Sequence, residues 1–224
     1  MGREIFATEP SPGARGRITL ADGTRLSVPQ SQRIICFTPG AFIHTPAGLR
    51  PIETLAAGDL VLTRDHGPQP VRWIGRTDLC GSGDLAPVRI RPAALAGLTA
   101  DLVVSPHHRM LIEGARATRL HAEAEVLATA RHLVDGRRVT VEERETVTYL
   151  HLLFDRHEVI WANGAPTESY HPGDHGLGGL CDAAREGLFA ALPQLRALPE
   201  SYGRTARRVL TRSEAATLWH AGRP

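Results

Sequence analysis

Two short segments of this 224-residue chain carry residues that could do covalent chemistry. The first is Cys36-Phe37-Thr38-Pro39-Gly40, where a thiol stands directly after the Ile35 carbonyl and a Pro-Gly turn follows. A cysteine side chain reaches the carbonyl carbon of the preceding residue through a five-membered ring. The nitrogen and sulfur of Cys36 can therefore exchange the Ile35 acyl group, turning an amide into a thioester. The second is Ser105-Pro106-His107-His108, which follows the apolar run Leu102-Val103-Val104. A strand ending in Ser-x-x-His sets a hydroxyl and an imidazole on one turn, and an imidazole can give a proton to a departing nitrogen near neutral pH. Each segment also has a plainer reading. A lone cysteine is most often a small buried hydrophobe, and two histidines on a turn are most often solvated. Cutting a peptide bond from within needs a nucleophile, an acid for the leaving nitrogen, donors for the oxyanion and fixed geometry. Together the segments offer the first two.

Composition narrows the remaining chemistry. All 26 basic residues are arginine, set against 24 acidic residues for a formal net charge of +2. That balance gives no reason to expect nucleic acid or an anionic membrane surface as a partner. Without lysine there is no Schiff base and no lysine general base, so covalent catalysis falls to Cys, Ser or Thr. Cys36, Cys80 and Cys181 form no Cys-x-x-Cys pair, which fits free thiols in a reducing compartment and lacks the usual spacing of a zinc site. No metal and no cofactor is expected. The N-terminus has no apolar core of a signal peptide, and Phe6 stands where a myristoylation signal has Ser or Thr. No apolar run approaches a membrane span, so the cytoplasm is the expected location, with non-classical export left open.

The elements that must hold these residues read as short strands. Arg17 to Val28 alternates around Asp22-Gly23, a hairpin signal. From Cys36 to about Gly173 come Leu60-Val61-Leu62, Val71 to Ile74, Val88-Arg89-Ile90, Leu102-Val103-Val104, Val139-Thr140-Val141, Val147 to Leu153 and Val159-Ile160-Trp161, separated by turn clusters such as Asp65-His66-Gly67-Pro68 and Asn163-Gly164. Leu55 to Val61 and Leu133 to Val139 share Leu-x-x-Gly-x-x-Val, an echo that suggests two related halves. Beyond His171-Pro172-Gly173 the spacing turns helical, over Leu180 to Leu198 and again over Ser213 to His220 with Ser213 as the expected N-cap. The expected divisions are an N-terminal arm (1–35), a mainly β body (36–173) and a helical C-terminal extension (174–224).

In order, these segments resemble the Hint superfamily, shared by Hedgehog autoprocessing domains and inteins, and most of all bacterial Hint proteins that are not true inteins. Cys36 to Gly40 matches the nucleophile motif, Gly58 to Leu62 the second strand entry, Ser105 to His108 a Thr-x-x-His block with Ser for Thr, and Tyr149 to Gly164 the closing strands. The resemblance implies a pseudo-twofold, horseshoe-like β body. It also implies that Cys36 attacks Ile35, that His108 protonates the leaving nitrogen and that Ser105 orients. Thr38, His157 and Asp78 are expected to support the site, whereas His151 and His171 are expected to be structural. Where a splicing intein has His-Asn, this chain has Glu168-Ser169, so full splicing is not expected. The position of the Hedgehog sterol-activating Asp falls near Arg76, with Asp78 two residues on, and sterol transfer is not expected either.

What remains is single-turnover cleavage at Ile35-Cys36. The chain's own N-terminal segment is the substrate, and water or a small thiol or amine is the acceptor. A cleavage-inactive Hint-fold interaction module is the alternative, and a cysteine hydrolase acting on outside substrates a third reading.

Overall fold

Turns every few residues keep most strands short, and the result is a mainly β protein with most of its described helices toward its C-terminal end. The computed structural model describes residues 16–19, 25–28, 35–173, 177, 180 and 182–220. The chain divides into two units, Met1–Gln32 and Arg33–Pro224. In the first, β1 (Gly16–Thr19) and β2 (Arg25–Val28) pair antiparallel as the expected hairpin; its Asp22-Gly23 turn lies outside the described residues.

The second unit continues with β3 (Phe42–Thr45), β4 (Gly48–Pro51), β5 (Leu60–Thr63), β6 (Gly67–Pro70), β7 (Trp73–Gly81), β8 (Val88–Ile90) and β9 (Leu102–Val104). After β10 (Arg109–Glu113) come the helix α1 (Ala115–His121), β11 (Glu125–Thr129), β12 (Val139–Val141), β13 (Arg144–Leu153), β14 (Val159–Ala162) and β15 (Ala165–Glu168). The C-terminal part holds α2 (Asp182–Ala191), α3 (Gln194–Ala197), β16 (Arg208–Val209) and α4 (Arg212–His220). The largest sheet runs β16-β11-β10-β15-β14-β3-β4, with β5 joined to β14 and β6 beside β5. A second sheet is ordered β12-β8-β9, and β7 and β13 form a long antiparallel ribbon.

Residue pattern explains the pairing. Along β7 burial alternates, with Trp73, Thr77 and Leu79 inward and Arg76, Asp78 and Cys80 outward, as a strand with one covered face requires. The core holds Phe37, Ile43, Ile52, Val88, Leu102 and Met110, all fully buried. The two echoed segments share local geometry. Each has a 3-10 turn (Ile52–Thr54 and Ala130–Leu133), then a glycine at positive φ (Gly58 at 95° and Gly136 at 74°), then a strand. Asn163 and Gly164, at φ 47° and 85°, make the two-residue turn that closes β14 onto β15 in the register Ala162↔Ala165. A side chain on Gly164 is ruled out twice, by its φ and by the Gly97 carbonyl oxygen 2.3 Å from where its Cβ would stand.

Two details of the C-terminal part differ from the sequence reading. The helical stretch expected over Leu180 to Leu198 is broken at Leu192-Pro193 into α2 and α3, since proline cannot donate into a continuing helix. The helix expected to start at Ser213 begins at Arg212 and is capped by Thr211. Thr211 Oγ1 accepts from Glu214 N–H at 3.4 Å, and Glu214 Oε2 accepts from Thr211 N–H at 2.8 Å, a reciprocal capping box. Among the described residues no helix is long and apolar enough to cross a membrane.

Candidate active site

Backbone register, not proximity in sequence, builds the surroundings of Cys36. Phe37 exchanges hydrogen bonds with Leu150 (N–H to O 2.9 Å, O from N–H 2.8 Å) and also bridges Val104 in antiparallel sense. One step back along both pairings, Cys36 faces Ser105 on one side and His151 on the other. Thr38 fixes this threading from below, its N–H and its hydroxyl both donating to Val103 O at 3.2 and 2.9 Å. Thr38 thus supports the position of Cys36 through the backbone.

The contacts follow from the register. Cys36 N–H donates to Ser105 Oγ at 2.9 Å, and Ser105 N–H donates to Cys36 O at 3.0 Å. Cys36 Sγ lies 3.1 Å from His151 Nδ1, and the same nitrogen is 3.3 Å from Ile35 O. Protonated, Nδ1 donates to the Ile35 oxygen; unprotonated, it accepts the thiol proton. One atom can therefore serve both before and after a proton transfer. Ile35 and Cys36 are each only 1% exposed.

His151 is held by rings. Trp73 stacks on it at 5.8 Å between centroids and Tyr170 meets it edge-on at 4.9 Å. The Trp73 ring lies so close over Gly75 that a Cβ there would fall 2.0 Å from it, and Gly187 of α2 leaves room for its indole nitrogen. Glycine at 75 is thus a packing requirement of the ring that seats the imidazole. Ile35 belongs to the same apolar cluster, with Trp73, Tyr170, Leu188, Leu195 and Tyr202.

His108 stands on the Ser105 turn, its N–H donating to Ser105 O at 3.1 Å and its ring edge-on to Phe37 at 4.5 Å. Thr167 Oγ1 donates its one proton to Arg109 O at 3.1 Å, so it accepts from His108 Nε2–H. That leaves Nδ1 of His108 as a bare lone pair, buried and without a hydrogen-bond partner among the described residues. Behind it Glu168, fully buried, accepts from Arg109 N–H at 2.8 Å and pairs with Arg109 Nη1 at 3.3 Å and His157 Nε2 at 3.1 Å. Burial raises the Glu168 carboxyl, yet Arg109, His157 and His108 together hold it below its ordinary range.

Burial dominates the titration of Cys36 and of both histidines. It pushes the Cys36 thiol well up, a rise opposed by the Ser105 hydrogen bond and aided by Glu168. It pushes His151 down to about 4 against the Ile35 carbonyl, and His108 down to about 4 against the pull of Glu168. At neutral pH the thiol and both imidazoles are therefore uncharged. The acid role expected of His108 requires that its Nδ1 first take up a proton.

Of the residues singled out in the sequence, Ile35, Cys36, Ser105 and His108 meet in one place, with Thr38 beneath. His157 bonds Glu168 and receives Ala206 N–H at 2.8 Å, so it lies behind the His108 turn. Asp78 sits on the outward face of β7, bonded to Thr148 and Arg76. His171 bonds Gly203 O and Gly173 N–H. His151, read from sequence as structural, is the side chain on the thiol. The one trace it leaves in the sequence is a polar residue inside the apolar run Leu150 to Leu153.

A family match supports a domain of the autoprocessing type in general. The Hint domain family matches over residues 35–174, and the chain belongs to that family. Among solved structures it is similar to the MchDnaB-1 intein (16% identity, covering 58% of this chain and 98% of that one, TM-score 0.39). It is likewise similar to the bacterial intein-like domain from Clostridium thermocellum (12%, 61% and 99%, TM-score 0.38) and the gp41-1 intein (12%, 59% and 96%, TM-score 0.37). No curated protein matches.

Proposed function

We propose that this domain cuts its own chain at Ile35-Cys36 by an N-to-S acyl shift. The observation that carries the reading is the position of His151 Nδ1, 3.1 Å from Cys36 Sγ and 3.3 Å from Ile35 O. His151 takes the thiol proton, Sγ bonds to the Ile35 carbonyl carbon, and the oxyanion forms beside the new Nδ1–H. The bond from carbon to Cys36 nitrogen then breaks. His108, once its Nδ1 has taken up a proton from water with the Glu168 carboxylate favouring that charge, supplies the proton that nitrogen needs, while Ser105 holds the nitrogen in place. His151 returns the thiol proton to water, so protons balance over the whole step. Water, a thiol or an amine then takes the acyl group from sulfur. Splicing is outside this reading, because Glu168 and Ser169 stand where a cyclising His-Asn pair would be and both are committed. Ser169 Oγ accepts from Glu158 N–H at 2.9 Å, and Glu168 is tied to Arg109.

A second reading, a Hint-fold interaction module that no longer cuts, draws on the deep burial of the bond and the uncharged state of its neighbours. Intact mass spectrometry separates the two. With hydroxylamine or dithiothreitol, a fragment ending at Ile35 is expected from the native protein and none from Cys36→Ala. Equal survival of both proteins favours the interaction module.

A further inference from the structure

Ile35 lines a cavity of about 450 Å³, and the charged side chains described around it are arginines. Arg109 and Arg212 border it together with His107 and His132, and no carboxylate is among the described residues that do. A neighbouring hollow of about 620 Å³ shares His107, His132 and Arg212 and adds Arg131. The arginines differ in how far they are neutralised. Arg109 is matched by Glu168 at 3.3 Å and Arg131 by Asp84 at 3.1 Å, the latter an exposed pair that water screens heavily. Arg212, at the first position of α4, makes no side-chain hydrogen bond or ion pair among the described residues. A recess with an unpaired arginine on its wall attracts anions, and one bordered by the acyl residue of the scissile bond gathers them where the acyl group is handed on. Water needs no such recess.

We infer that this basic groove is the acceptor site, and that it takes a small thiol or amine bearing an anionic group such as a carboxylate or sulfonate. The inference rests on the reading of Cys36 as the acyl carrier. For a thiol acceptor, its sulfur bonds to the Ile35 carbonyl carbon and the bond to Cys36 Sγ breaks. Cys36 Sγ then takes the proton that the acceptor gave up. The products are residues 1–35 as a thioester of the acceptor and a chain beginning at Cys36. An amine acceptor gives an amide by the same exchange.

The test compares three thiols of similar size and different charge on the full chain, at equal thiolate concentration: 2-mercaptoethanesulfonate, 2-mercaptoethanol and cysteamine. Intact mass spectrometry follows the thioester of residues 1–35. The sulfonate is expected to react about tenfold or more faster than cysteamine at low salt. Raising ionic strength to about 1 M should shrink that ratio, because exposed charges are then screened within a few ångströms. Arg212→Gln should shrink it too, and Arg131→Gln to a lesser degree. Equal rates for the three thiols, with cleavage present, overturn the groove and leave the acyl shift standing. Absence of cleavage in every arm overturns the acyl shift. The groove is then decided by calorimetric titration of Cys36→Ala with 2-mercaptoethanesulfonate. Binding that weakens in Cys36→Ala/Arg212→Gln upholds the groove as a site for the anionic thiol but not as an acceptor site, and no binding overturns it altogether.

Discussion

Cys36 has two flanks, and they are built from opposite materials. On the Ser105 side the imidazole of His108 is wired into a polar chain that runs through Thr167, Arg109 and Glu168 to His157. On the other side His151 stands between the rings of Trp73 and Tyr170, and its hydrogen-bond partners among the described residues are the thiol and the Ile35 carbonyl. Both imidazoles are uncharged at neutral pH for the same reason, burial. What differs is how charge would be received. A cation forming on His108 meets a buried carboxylate, whereas a cation forming on His151 meets only the thiolate and oxyanion created in the same step. The first flank is suited to holding a proton for the nitrogen and the second to accepting one briefly from sulfur.

Removing each imidazole is the strongest way to break that comparison. His151→Ala and His108→Ala should each slow hydroxylamine-induced cleavage by about 10²- to 10⁴-fold, the scale of a lost general base or acid. A rate indifferent to His151 would return the proton transfer at sulfur to some other group.

Acid sharpens the comparison next. Both histidines hold folded values near 4 against an ordinary 6.5, so the unfolded chain binds their protons first as pH falls. Their contribution to stability is complete above about 6.5 and is lost progressively on the way down to about 4. A difference of that size corresponds to roughly 3 kcal/mol per histidine as an upper figure. Glu168, held low in the folded state, adds a loss of the same sign at the acid end. Urea unfolding at a series of pH values should show the decline, and His151→Leu should flatten it between pH 6.5 and 4.

Gly75→Ala attacks the aromatic flank alone. It forces the Trp73 ring off its seat and should cost about 1–3 kcal/mol by overpacking, with cleavage slowed through His151 while the His108 network stays intact. Tryptophan fluorescence together with urea unfolding reads both. The smallest effect is expected from Asp78→Asn, on the outward face of β7: stability within about 0.5 kcal/mol of native and an unchanged cleavage rate. A large rate loss there would bring Asp78 back as a supporting residue.

The two flanks also differ in how far the sequence displays them. Ser105 and His108 share one turn, so their spacing is visible without knowledge of the fold, and the contiguous Cys36 motif is visible in the same way. The Leu-x-x-Gly-x-x-Val echo, the strands it feeds and the Asn163-Gly164 turn are local in the same sense. His151 reaches Cys36 across 115 residues through strand register, and nothing local encodes register. The role of Gly75 depends on a ring from its own strand and a helix more than a hundred residues later. The cap of α4 was hidden by competition between two hydroxyls, Thr211 and Ser213, of which only Thr211 has a glutamate three residues on.

Ile35 is clasped by the C-terminal helices as much as it is joined to Cys36, sharing one apolar cluster with Leu188, Leu192 and Leu195. Severing the covalent link leaves that clasp in place. The nicked product should therefore migrate as one particle on a sizing column and separate only in denaturant, and a thioester product so retained can be attacked again by Cys36. Escape of the upstream piece, not bond breaking, would then set how long each event lasts.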